Sequence, residues 1–428
     1  MDEIELTSQV DCCIVGGGPA GVVLGLLLAR QGVEVMLLEA HQNFDRDFRG
    51  DTVHPSTVRL LEQIGLFDKL LALPHAAVFD FPFHFPDGSI SPPPTERDRA
   101  RRPYSYQIPQ HLLLDMLVSE AQRYPTFHVV MGARVDGLLQ NAGGEVRGLR
   151  YRGADGSHEV HASLVVGADG RFSKVRQLAG MQLRSRGEPI DVLWFRLPKA
   201  LSDPERATGI YFGADGLVVV MDRPDGWQVG YVFAKGAYQR LRAAGLAELH
   251  KAIVNRVSWL ADRIEVISDW RQTSLLSVDA VRVDRWYAPG MLLIGDAAHV
   301  MTPVGGVGIN YAVQDAVAAA NVLGLRLLKG TLRVADLAAV QRRRELPTRL
   351  MQAMQRQMAP FAAEGRPKLQ PPLLPRLTMG LPPVAALRRR LIAFGGWHPE
   401  QVRDPASACC PRACDVVSQL ARGLWDAM

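Results

Sequence analysis

Six residues near the amino terminus, Gly16-Gly17-Gly18-Pro19-Ala20-Gly21, have the types and spacing to hold a pyrophosphate. In such a run the first glycine permits a tight turn, the second lets the backbone approach phosphate oxygens, and the third allows a helix to pack closely on a strand. Here those are Gly16, Gly18 and Gly21. The amides that open the following helix would turn free donors and a positive dipole end toward the phosphates. Glu39 stands about 20 residues further on, where a carboxylate accepts ribose hydroxyls and disfavours a 2′-phosphate. The chemistry on offer is the holding of NAD or FAD rather than NADP.

That reading needs a strand before the glycines and another before the acid, and both are present. Val10 to Val15 is apolar except for Asp11, as in a strand buried on both faces. Val22 to Arg30 suits a buried helix that Gly32 stops, and Val33 to Leu38 is a second apolar strand, so the start is a βαβ unit. Arg59 to Leu71 and Leu112 to Arg123 have helical periods, and Pro, Gly and Ser between 82 and 94 indicate a loop or edge segment. Val146 to Tyr151 and His158 to Val166 flank Gly153-Ala154-Asp155-Gly156 as a hairpin. Between 182 and 280, runs such as Val218 to Met221 and Gln228 to Phe233, parted by Pro224-Asp225-Gly226, indicate an antiparallel sheet. Met291 to Ile294 is again a buried strand, Tyr311 to Leu328 a long helix, and Leu337 to Met358 a helix with a basic face; proline is dense from 360 to 383.

The composition bounds the function. A chain of 428 residues with 47% hydrophobic and 22% charged residues is a packed protein of two or three domains. A net charge of +5 with scattered basic residues gives nucleic-acid binding no support. The acidic start lacks a secretory leader and no apolar run reaches about 18 residues, so neither secretion nor a membrane span is expected and a cytoplasmic location is. Cys12 and Cys13 fall in the first strand as small buried thiols. Cys409, Cys410 and Cys414 have no histidine or fourth thiol at ligand spacing, so no metal is expected.

Two distant segments bear on the choice between NAD and FAD. Gly167-Ala168-Asp169-Gly170-Arg171-Phe172-Ser173-Lys174-Val175-Arg176 closes the hairpin, and Leu293-Ile294-Gly295-Asp296-Ala297-Ala298-His299 runs on to Pro303, Gly305, Gly306, Gly308, Ile309 and Asn310. With the glycine run at 16–21, in this order and rough spacing, the chain resembles the flavoprotein aromatic hydroxylases, the single-component FAD monooxygenases typified by p-hydroxybenzoate hydroxylase, over about residues 8–345. The resemblance implies a mixed α/β fold: a Rossmann-like FAD-binding domain in three pieces (1–80, 104–181, 281–345), interleaved with an antiparallel-sheet substrate domain (81–103 and 182–280), then a helical, Pro-rich C-terminal segment (346–428).

It further implies that Asp296 accepts from the flavin ribityl chain, with the Gly295 backbone close by, and that Asp169 and Gly170 sit near the pyrophosphate. The stretch Gly305 to Gly308, with Ile309 and Asn310, would start a helix whose amides face the flavin pyrimidine edge and stabilise the charge of reduced flavin. Arg49 and Gln110 match positions that contact FAD in the family. Where many members have Gly-Gln-Gly-Met-Asn this chain has Gly306-Val307-Gly308-Ile309-Asn310, which leaves the helix-start amides intact. The implied activity uses NADH or NADPH, docking transiently, and O2 to hydroxylate or epoxidise an aromatic or electron-rich small molecule through a flavin hydroperoxide, in secondary metabolism.

Such chemistry belongs to the cofactor, so no catalytic side chain is assigned; His54, His299 and Pro303 are candidates for flavin proximity. Both histidines have structural readings too, as a loop residue and a helix cap. Trp194, Phe195, Tyr211, Phe212 and Met221 either line a substrate pocket or are plain core. Three alternatives are weighed. A flavin-dependent halogenase would carry a Trp-x-Trp run, and no two of the seven tryptophans stand two apart. An FAD-dependent dehydrogenase or reductase of a lipid or isoprenoid would insert no oxygen, and a non-enzymatic flavin-binding protein would not turn over NAD(P)H.

Overall fold

The structure is a computed structural model and describes residues 8–45, 51–79, 81–86, 105–185, 190–205, 207–213, 216–278, 280–358, 390–396 and 399–403. The chain opens with β1 (Ser8–Val15), α1 (Pro19–Arg30) and β2 (Val35–Glu39). The two strands are parallel neighbours, Cys12 opposite Val35 and Val15 opposite Leu38. α1 begins at Pro19, inside the glycine run, rather than after it; proline suits a first helical position because its missing N–H would have no intrahelical partner there.

Around this unit a larger sheet assembles in the spatial order Tyr287–Ala288, Met291–Leu293, Gly156–Gly167, β1, β2, Phe127–Met131. From Met291–Leu293 to Phe127–Met131 every pairing is parallel. The expected hairpin is present as Val146–Gly153 against Gly156–Gly167, and its second arm runs on as a partner of β1. α1 packs between the helices Gln110–Ala121 and Gly308–Leu328. Nearly all of α1 is buried, as its unbroken apolar sequence requires. The expected helix 59–71 is instead two, Pro55–Gln63 and Phe67–Leu71, parted where Gly65 takes a φ of +75°.

The middle of the chain forms the expected antiparallel sheet, ordered Ser274–Val278, Ile190–Leu197, Gly226–Ala234, Gly216–Arg223, Gly209–Gly213, with Phe83–His84 added in parallel at the far edge. One face carries Leu193, Phe195, Tyr211, Val218, Val220, Val229 and Phe233 against a layer that includes the helices Tyr238–Ala244 and Leu246–Val254, which sequence reading did not anticipate. The other carries Val192, Trp194, Ile210, Leu217 and Val232, with the half-buried Phe212, Val219 and Met221.

The helix Val334–Met358 contains Pro347 and passes through position 345/346, so no element ends at the expected start of the C-terminal segment. Its expected basic face is only part of its surface. Gln341, Arg344, Thr348, Gln352 and Gln355 form a buried polar stripe. Gln341 accepts from Trp286 N (3.0 Å), Gln352 donates to Val300 O (3.1 Å), and Gln355 exchanges bonds with Thr302 N and O (3.1 and 2.9 Å). No described helix is long and apolar enough to cross a membrane. The proline-dense stretch 360–383 and Cys409, Cys410 and Cys414 lie outside the described residues.

Candidate active site

Four parallel strands release the chain at one edge of the large sheet, and each exit carries a residue singled out by type and spacing. β1 leads to Gly16, β2 ends on Glu39, Gly156–Gly167 leads to Asp169, and Met291–Leu293 leads to Gly295. The chain leaves β1 toward β2 on one side, while Gly156–Gly167 lies on the other, so a crevice opens at this switch point, where α/β sheets take their ligands. Motifs more than a hundred residues apart in sequence thus meet at one edge.

The contact is close enough to demand glycine. Gly16 has φ +107°, and a Cβ there would stand 2.5 Å from the Ala168 carbonyl oxygen and 2.7 Å from Asp169 Cα. A Cβ on Gly21 would stand 2.0 Å from the Gly16 oxygen, which is the close helix–strand packing expected of the third glycine. Gly295 meets the other two parts at once, since its Cβ would lie 3.2 Å from Ala20 Cβ in α1 and 3.4 Å from Ala312 Cβ in Gly308–Leu328. Arg176 adds a bridge, donating to Ala297 O (2.9 Å) and to Arg171 O (2.7 Å) from a buried position.

Several donors and acceptors here point at a ligand. α1 has no side-chain cap and no acid in its first turn, and a Cβ on Gly18 would meet nothing within 4 Å. The same holds for Gly308 at the start of Gly308–Leu328. Two helix starts therefore keep their amides for something outside the helix. Asp169 accepts from Lys174 N (2.6 Å) and Val175 N (3.1 Å) through Oδ2, while its buried Oδ1 has no hydrogen-bond partner among the described residues. Burial pushes its carboxyl above the ordinary range. Glu39 is buried and takes Gly17 N on Oε2 (2.7 Å) and His41 N on Oε1 (2.9 Å), so the turn of the glycine run is held by the acid expected to reach the ribose. A bare cradle, an orphaned carboxylate oxygen and two uncapped helix starts fit FAD, whose pyrophosphate and pyrimidine edge call for such donors.

The remaining expected residues divide. Asp296 and Gly170 are half-buried, and Gly305 and Gly306 are exposed beside Pro303, whose carbonyl accepts Gly306 N at 3.0 Å. Gln110 begins its helix, its backbone N–H donating to Asp51 Oδ1 (3.1 Å). Ile309 is buried. The Asn310 side chain is committed to protein: Oδ1 accepts from Ser56 Oγ and Nδ2 donates to Ile392 O (2.9 Å). His54 is buried and donates from Nε2 to Gly306 O (3.1 Å), and desolvation lowers its pKa to about 4. Arg49 lies outside the described residues.

His299 is tied to protein through Nε2. Its Nε2 lies 2.6 Å from Asp315 Oδ2, and its ring packs on Trp286 at 4.7 Å. Asp315 also takes Gly295 N (3.0 Å) and Arg344 Nε (2.8 Å), and all three side chains are almost wholly buried. Burial would raise the Asp315 carboxyl, but the charges and hydrogen bonds of His299 and Arg344 hold it below the ordinary range. Sequence reasoning missed Asp315 and Arg344. The signal for the first was there: it is the lone charge in the stretch 308–325.

The four substrate candidates do not share a surface. Trp194, Phe212 and Met221 lie on one face of the middle sheet, whereas Tyr211 belongs to the other, donating to Ala207 O (2.8 Å) and stacked 4.1 Å from His84. Phe195, fully buried, is core. The face bearing Trp194 ends at Arg223, ion-paired with Asp51 beside the Thr52–Val53 strand.

A family model described as "FAD binding domain" matches residues 9–354. The chain belongs to this family, the flavoprotein aromatic hydroxylases. The flavoprotein is 36% identical over 346 residues to 6-methylpretetramide 4-monooxygenase of Streptomyces rimosus, covering 79% of this chain and 81% of that one. It is 29% identical over 324 residues to rifampicin monooxygenase of Streptomyces venezuelae, covering 72% of this chain and 62% of that one. Among solved structures, PqsL of Pseudomonas aeruginosa, titled a probable FAD-dependent monooxygenase, superposes with a TM-score of 0.71 at 22% identity, over 83% of this chain and 97% of that one; this likeness concerns the fold. The flavoprotein is an FAD-dependent monooxygenase.

Proposed function

We propose that this monooxygenase oxygenates an uncharged, apolar aromatic molecule held between the Trp194 face of the middle sheet and FAD in the crevice. The observation that carries the substrate class is the make-up of that face. Val192, Trp194, Phe212, Val219 and Met221 are apolar, and the cations toward the ends of these strands are matched, Arg196 by Asp225 and Arg223 by Asp51 and Asp225. Among the described residues a substrate carboxylate or phosphate would find no unmatched cation there, whereas a ring system would bury its surface.

The residues of the crevice divide the work of binding. The first-turn amides of α1 take the pyrophosphate, Glu39 the adenosine ribose, Asp296 the ribityl chain, and the amides of the Gly308–Leu328 start the pyrimidine edge. Asp169 would place its orphaned oxygen toward the same groove. FAD, when bound, supplies electron transfer from NADH or NADPH and the activation of O2. The protein's own part is to orient the substrate ring and exclude water.

The test uses purified protein carrying FAD. NADH and NADPH oxidation is followed with a panel of neutral and anionic aromatics that includes 6-methylpretetramide, the compound in the name of the 36%-identical relative. Oxygen incorporation is read by mass from labelled O2. The expected result is substrate-stimulated oxidation with one oxygen gained by neutral members. Preference for the anionic members would overturn the substrate class, and turnover with no gain in mass would favour a dehydrogenase or reductase.

A further inference from the structure

Residues 390–396 and 399–403 lie beyond the stretch 9–354 that the family model matches, yet they are tied to the part of the crevice assigned to the flavin ring. Leu391 is buried among Met301, Val307, Tyr311 and Met351, and so reaches both sides of the Gly305–Gly308 turn. Three side chains, two on Gly308–Leu328 and one on Val334–Met358, donate to this segment's backbone: Asn310 Nδ2 to Ile392 O (2.9 Å), Tyr311 Oη to Leu391 O (3.3 Å) and Arg344 Nη2 to Gly395 O (3.1 Å). Ile392 Cγ1 lies 3.9 Å from where a Gly305 Cβ would stand.

The segment then continues along the same helix. Glu400 N donates to Gln314 Oε1 (2.6 Å), and Asn321 exchanges bonds with Gln401 O and Arg403 N (2.8 and 2.9 Å). It also reaches Pro55–Gln63, where the Arg59 guanidinium sits 4.6 Å over the Phe394 ring and Gln63 Oε1 accepts Val402 N (3.1 Å). Nothing comparable links it to α1 or Glu39 among the described contacts. Its grip is on one end of the crevice.

We propose that residues 390–396 latch the first turn of Gly308–Leu328 in place, and so position the isoalloxazine end of FAD without touching the end that holds the adenosine. This rests on the cofactor reading above. A helix start donates well only if its amides keep one direction, and the exposed Gly305 and Gly306 ahead of it supply no rigidity of their own. The latch supplies it from outside the family core. Leu391 and Phe394 are thereby positioning residues.

The test compares two ligands on the full chain. FAD occupies the whole crevice, whereas ADP would occupy only the α1 end. Leu391→Ala and Phe394→Ala should raise the Kd for FAD about tenfold and leave that for ADP within about twofold, while shifting the visible spectrum of bound flavin. Leu391→Met, which conserves volume, should restore FAD binding. Phe394→Ala, at a half-buried site, keeps the comparison available should Leu391→Ala fail to fold. Equal weakening of FAD and ADP, or unchanged FAD affinity in a folded variant, overturns the latch. Wild-type protein that takes ADP and refuses FAD would remove the cofactor reading, and the latch with it.

Discussion

His54 spends its Nε2 hydrogen on the Gly306 carbonyl and is neutral at ordinary pH, because burial lowers its pKa from 6.5 to about 4. In the unfolded chain it regains its ordinary value, so between pH 6.5 and 4 the unfolded state binds more protons than the folded one. Stability contributed by this residue is complete above pH 6.5 and falls as pH drops toward 4, by about 3 kcal/mol at most. Denaturant midpoints across that window should therefore decline less steeply in His54→Gln, which cannot titrate yet can donate to Gly306. Identical slopes in both proteins would refute it. His299 shows what residue type alone leaves out. Spacing placed it beside the Gly-Asp pair, but its partner Asp315 lies about two turns into the helix Gly308–Leu328, and only burial makes the pairing obligatory.

At the scale of elements, β1, α1 and β2 were legible because their runs are largely apolar and the glycines punctuate them; the strand starts shifted by two residues, to Ser8 and Val35, and the helix start by three, to a proline that suits position N1. The helix Val334–Met358 was legible as a helix and not as a partner. Gln341, Gln352 and Gln355 belong to a polar stripe that reads as solvated, yet it serves as a ladder of donors and acceptors for the short strands and turns from Val281 to Thr302. No periodicity distinguishes a polar stripe that meets water from one that meets carbonyls. The tight turn is the sharper prediction. Gly16→Ala must both leave φ +107° and clear the Ala168 oxygen, so it should cost about 1–3 kcal/mol and most of the bound flavin. Flavin-to-protein absorbance ratios and urea midpoints check this, and wild-type flavin content would contradict the assigned cradle.

For the molecule as a whole, a buried ion pair ties the middle sheet to the small sheet that Thr52–Val53 opens. Arg223 at the end of the middle sheet holds Asp51, which also accepts the first backbone N–H of Gln110–Ala121. Sequence gave no sign of it, since the partners stand far apart and both residue types are ordinarily exposed. Asp51→Asn leaves Arg223 with Asp225 as its remaining carboxylate, so the loss should be about 1–3 kcal/mol rather than that of a fully stranded charge. Asp51→Leu with Arg223→Met should cost less than the sum of the single changes. Additive effects in chemical denaturation would mean that the two partners are not coupled.

Cys12 and Cys13 sit side by side in β1, with burial raising the first thiol well above its ordinary pKa and pushing the second up to about 12. The thiolate is the form that attacks an alkylating reagent, so the native protein offers such a reagent almost nothing at this strand. Modification here waits for the molecule's innermost layer to come apart, which makes the pair a built-in fuse. Peptide-level mass spectrometry after maleimide exposure should find positions 12 and 13 unmodified until denaturant reaches the global midpoint; adducts well before it would mean that the nucleotide strand parts ahead of the rest.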